Sequence, residues 1–101
     1  MKDYIKQAIH LYCSTPGTLG RPRPDDRRLA AALYARGISL SILDQAFTLA
    51  ASRRSFRAPN ALPLAPIRSM HYFLPVIEEV LNRPLDPAYV DYLKAKLNSL
   101  R

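Results

Sequence analysis

Arg53, Arg54 and Arg57 fall within five consecutive positions of a 101-residue chain, and Arg68 follows after a proline-rich stretch. Guanidinium is planar, permanently charged and forked, so it matches two oxygens of a phosphate at once. On an ideal helix Arg53 and Arg57 stand one turn apart on the same side, with Arg54 adjoining. Arg68, beyond the loop, can return to the same end of the molecule. With Arg21 and Arg23 these make a set of candidate phosphate ligands. The competing reading is that they satisfy helix-end carbonyls and keep the surface solvated, the usual role of a charge run.

The balance of charge favours a polyanion. Nine arginines between Arg21 and Arg68 stand against Asp25, Asp26 and Asp44, giving that stretch +6 of the total +7. Residues 1–20 add +1 and residues 69–101 are neutral. A lopsided positive field steers polyanions inward and gains from counterion release. Rings extend the surface: Phe56 lies among the arginines, and His71 and Tyr72 follow Arg68 by about one turn. Stacking of unpaired bases on such rings would favour single-stranded nucleic acid, a preference the sequence leaves open. Phe56 also has the burial preference of a core residue closing a helix end. Tyr89 and Tyr92 sit in charge-balanced sequence and suit packing or a protein contact.

Catalytic chemistry is scarce. His10 and Cys13 share a helix face, but two ligands do not close a zinc site. Adjacent Glu78 and Glu79 diverge around a helix and are expected to solvate its outer face. No glycine-rich phosphate loop or nucleophile elbow occurs. The sequence therefore reads as non-enzymatic, with no cofactor and no metal.

The elements that must carry these residues are helical. Apolar residues make up 49% of the chain, enough for one core in a single domain spanning residues 1–101. The pattern predicts five helices, with no strand alternation of useful length. The first covers about Asp3–Ser14 and reads as part of the fold, not a signal peptide. Residues 15–24, TPGTLGRPRP, form an extended loop. Asp25 or Asp26 caps a second helix over Arg27–Arg36, which Gly37 ends. Ser39 caps a third helix from Leu40 to about Arg57, with Ile38 stapled against Leu43. Residues 58–66, APNALPLAP, form a second proline-rich loop. Pro66 suits the first turn of a fourth helix reaching Leu81, where Pro75 requires a kink or two shorter helices meeting near Leu74. Asp86-Pro87 opens a fifth helix with Ala88, Val90, Leu93, Leu97 and Leu100 inward. The expected fold is all-α, a compact bundle of about five helices with two Pro-rich loops. A single cysteine fits a reducing cytoplasm, and no apolar run is long enough for a membrane span.

Two resemblances bear on function. The stretch Leu33–Phe47, LYARGISLSILDQAF, is similar to the opening of a helix-turn-helix, but the helix continues through TLAASRRSFR with no second tight turn and no separate recognition helix. A corner within a bundle is the alternative. Residues Leu29–Leu81 resemble the helical region of bacterial replication-initiation and primosome proteins of the DnaD type. The shared features are the Gly37-Ile38-Ser39 restart, a long helix through Ala46 and Ala50, a loop, and the aromatic-bearing helix Ile67-Arg68-Ser69-Met70-His71-Tyr72-Phe73. Pro66–Leu81, PIRSMHYFLPVIEEVL, is also similar to tails of replication-associated proteins on mobile elements. The resemblance implies DNA, more than RNA, or replication machinery as partner, with Arg53, Arg54, Arg57 and Arg68 at the matching basic positions. No winged-helix module accompanies it, so an accessory domain is implied. The rival expectation is a protein-interaction module, a homodimer or partner-binding bundle using the apolar supply after Pro66. An acidic protein is a third class of partner.

Overall fold

A computed structural model describes residues 2–57 and 60–99. Five α-helices follow in chain order: α1 Lys2–Ser14, α2 Pro24–Ala35, α3 Leu40–Ser55, α4 Leu74–Asn82 and α5 Pro87–Asn98, with one 3₁₀ turn, Met70–Phe73, leading into α4. The all-α bundle is therefore as expected. The expectations for residues 58–59 and for Leu100 lie outside the described residues.

The third helix is the axis. It packs against α1, α4, α5 and the 3₁₀ turn, while α2 lies on α1 and that turn. Its composition explains the placement. Leu43, Ala46, Phe47, Thr48, Leu49, Ala50, Ala51 and Ser52 are all buried, so the helix is enclosed on several sides, not along one stripe. Small residues at 46, 50, 51 and 52 let neighbouring backbones come close. Of the hydroxyl residues drawn inside, Ser52 donates to the Thr48 carbonyl at 2.8 Å. Around this axis three rings fill the centre. Phe73 meets Tyr12 edge-on at 6.0 Å and Phe47 at 4.6 Å between centroids.

The corner between α2 and α3 follows directly from its residues. Gly37 takes φ +74°, its N–H donates to Tyr34 at 2.9 Å, and the Ile38 N–H reaches back to Leu33 at 3.1 Å. This double return closes the free carbonyls of the α2 end. Ser39 Oγ then accepts from the Ile42 N–H at 3.2 Å and starts α3. Both Ile38 and Leu43 are buried, as the staple requires.

Several boundaries differ from expectation, each for a local reason. The second helix begins at Pro24, with Arg23 as the capping residue in place of Asp25 or Asp26. Asp26 sits inside the first turn, fully buried, and accepts the Arg23 N–H at 2.8 Å while its own N–H donates to the Arg23 carbonyl. Proline needs no donor at the first helical position, which is why Pro24 is tolerated there. The third helix stops at Ser55, because Phe56 turns to ψ +42°. Pro66 does not open a helix; Ile67 forms an isolated parallel bridge with Thr18. Through it the two proline-rich connections are stitched together: Ile67 N–H donates to Gly17 at 2.7 Å and Leu19 N–H to Ile67 at 3.2 Å. Pro75 lies in the first turn of α4, so of the two expected arrangements the chain takes the pair of shorter helices meeting near Leu74. Lacking an N–H, Pro75 leaves the His71 carbonyl to the Leu74 N–H, and that shorter return makes the preceding turn 3₁₀. Two short elements thus meet at Leu74.

Candidate nucleic-acid interface

The end of α3 and the 62–72 segment bring four of the six candidate arginines together. Arg53, Arg54 and Arg57 line one concavity with Leu64, Tyr72 and Val76. Arg54 and Arg68 line the adjoining one, which shares Leu64 and Tyr72. Tyr72 is the common wall, with 46% of its surface exposed.

The four guanidiniums are not equivalent. Arg54 donates from Nη2 to the Ala65 carbonyl at 2.8 Å and lies 5.5 Å from the centroid of the Tyr72 ring. Its Nη1 reaches the Tyr72 hydroxyl at 3.4 Å, a weak contact. Arg57, outside the helix, folds back: Nε donates to the Arg54 carbonyl at 3.1 Å and Nη2 to the Leu62 carbonyl at 2.7 Å. Carbonyls are neutral, so they fix these side chains without cancelling their charge. Arg68 is exposed beside them.

Arg53 differs from that pattern. Both of its Nη atoms donate to the Glu79 carboxylate, one at 2.8 Å. This end-on fork holds the Glu79 carboxyl below the ordinary value and raises the Arg53 guanidinium further, in each case through the hydrogen bond first. Arg53 therefore brings little net charge to the concavity. Glu78 and Glu79 lie exposed on the outer face, as expected, and each also pairs across it, Glu78 with Arg36 at 2.7 Å. Partners 26 positions apart leave no local pattern in the sequence.

Arg21 and Arg23 are exposed on the loop before α2 and line neither concavity. That loop still touches the cluster. At Gly17, which has φ +93°, an added Cβ would sit 3.1 Å from Arg54 Nε, so the glycine is where the chain passes over the guanidinium.

The remaining candidates are placed apart from this cluster. His10 is exposed and Cys13 half-buried on α1, and burial pushes the Cys13 thiol up, away from reactivity. Among the described residues no group of three or more potential metal ligands occurs, and no helix is long and apolar enough to cross a membrane. What the site offers is fixed positive charge beside one exposed ring. No family model, no curated protein and no solved structure matches this chain.

Proposed function

We propose that this protein is a non-enzymatic nucleic-acid-binding domain that takes phosphates on Arg54, Arg57 and Arg68, with Tyr72 as a platform for a base. The observation that carries this reading is the way Arg54 and Arg57 are held. Long cationic side chains in water ordinarily sample many rotamers, and ordering them on a ligand is costly. Here backbone carbonyls at 62 and 65 hold two of them in place with their charge intact. DNA as the ligand, and replication or mobile-element maintenance as the process, rest on the resemblance over Leu29–Leu81.

Titration of a short labelled oligonucleotide against salt tests it. Each phosphate neutralised contributes about 0.7–0.9 to the log–log slope. Arg54→Ala, Arg57→Ala and Arg68→Ala should each lower that slope by a little under one, whereas Arg28→Ala, already paired with Asp25 at 2.9 Å, should not. An oligonucleotide that fails to bind at low salt, or variants that leave the slope untouched, would rule the reading out.

A second reading is a protein contact at the same rim. Leu62 is 83% exposed and Leu64 47%, beside the arginines. Light scattering separates the two, because a self-association that disappears in Leu62→Ser would favour the protein module.

A further inference from the structure

The outer face of α5 carries a second group of rings and cations that the arginine cluster does not use. Tyr89 and Tyr92 are stacked, with ring centroids 6.3 Å apart and planes 19° from parallel, and each is about half exposed, at 47% and 55%. Lys96 continues the same stripe one turn on. Its Nζ lies 4.3 Å from the Phe56 ring centroid and 6.0 Å from that of Tyr92. Phe56 is the residue next to Arg57, so the α5 stripe and the arginine cluster meet at the end of α3. Arg53, in the last turn of α3, lines the concavity with Tyr72. Two acids belong to this segment, Asp86 and Asp91. Asp86 caps the helix by accepting the Ala88 N–H at 2.7 Å, and Asp91 lines a separate depression with Asp44 and Lys94. Glu79, the carboxylate lying between the two groups, is held by Arg53.

Resting on the nucleic-acid reading above, we propose that the ligand is a single strand, lying on a track from Tyr72 past Arg54 and Arg57 to Phe56, Lys96, Tyr92 and Tyr89. Bases stack on Tyr72 at one end and on the Tyr89–Tyr92 pair at the other, and Arg57 and Lys96 take the phosphates between. The alternation of ring and cation is the argument. A duplex keeps its bases stacked on each other and would leave the tyrosine faces without a partner. An acidic peptide would satisfy the cations and, again, leave the rings unused. Base–aromatic stacking tolerates any sequence, since every base presents a π-face.

Fluorescence anisotropy can decide this with labelled oligo-dT and oligo-U of about 4–16 nucleotides, the range a small single-strand site covers. The controls are a duplex of equal length, an abasic strand with the same phosphates, and polyglutamate. The single strand should bind more tightly than all three, and the dT and U arms show whether the sugar matters. Tyr89→Ala combined with Tyr92→Ala should weaken the single strand by about tenfold or more. The same pair changed to Phe keeps the rings and should keep the affinity. Both positions are exposed, and circular dichroism checks that the variants fold. Equal binding of abasic and base-bearing strands, preference for duplex or polyglutamate, or indifference to the tyrosine pair would overturn the track. If Arg54→Ala with Arg57→Ala still weakened binding in that case, the arginine reading would stand without it. No binding of any polyanion at low salt would remove both.

Discussion

The Met70 backbone N–H donates to Asp26 Oδ1 at 2.9 Å, a buried bond between residues 44 positions apart. The other oxygen of that carboxylate accepts the Arg23 N–H at 2.8 Å. One fully buried side chain therefore closes the start of α2 and fastens the 3₁₀ turn against it. Removing the acceptor from a buried N–H costs about 1–3 kcal/mol. Asp26→Ala is expected to lower unfolding free energy by roughly 3 kcal/mol, two N–H groups being orphaned. Asp26→Asn, which keeps one acceptor oxygen, should fall between. Urea denaturation measures both, and an Ala variant as stable as the parent would contradict the assignment.

Freeing Arg53 should strengthen ligand binding. Glu79→Gln removes the charge that Arg53 neutralises, so the salt slope for an oligonucleotide should steepen by up to one phosphate equivalent. The pair is exposed and contributes little to stability. Its pH dependence has a definite sign. The Glu79 pKa is lowered on folding from an ordinary value of 4.5, so the stabilisation is present above 4.5 and is lost as pH falls through the depressed value. Nucleic-acid affinity should rise more over that same acidic window in the parent than in Glu79→Gln. Anisotropy at a series of pH values reads this directly.

Two of the three left-handed glycines, Gly17 and Gly37, should respond differently to alanine. Gly37, at φ +74°, has open space where a Cβ would go, so Gly37→Ala carries only the backbone cost, about 1 kcal/mol. Gly17, at φ +93°, has Arg54 Nε 3.1 Å from that position. Gly17→Ala should cost at least as much by thermal melting and should also displace the guanidinium, lowering oligonucleotide affinity. Gly37→Ala should leave affinity alone. Equal binding losses in the two variants would show that Arg54 is not positioned by the loop.

The ring at the centre sets the stability of the bundle. Phe73 is fully buried between Tyr12 and Phe47. Phe73→Ala is expected to cost about 3–5 kcal/mol, a large share of the roughly 5–15 kcal/mol that holds an ordinary domain. Loss of a cooperative melt is the expected readout; a small shift in midpoint would mean that the core closes over the gap.

How much of this was legible in the sequence depended on the range of the interaction. The Gly37-Ile38-Ser39 corner could be read in detail, because its glycine, staple and cap act within a few residues of one another. The five helices followed from periodicity in the same way. The extent of α3 was overestimated by two residues, since nothing local marks Phe56 as the point of departure. Reading Ile67 as helical failed because its bridge to Thr18 is set by tertiary pairing. In the candidate site, charge and loop placement single out Arg53, Arg54, Arg57 and Arg68 but leave open whether they converge. The division of labour among them was not legible either. Whether a guanidinium ends on Glu79 or on the carbonyls of Leu62 and Ala65 depends on where the folded chain brings those groups. Residue type alone carries no trace of that choice.

The proline-rich connection after α3 is anchored at Leu62, at Ala65 and, through Ile67, to Gly17. Its backbone carbonyls at Leu62 and Ala65 consequently aim the Arg57 and Arg54 guanidiniums. Substitutions that shift those carbonyls by a fraction of a bond length would redirect the cations, so the direction of the positive charge can be retuned from neutral positions while every arginine is retained.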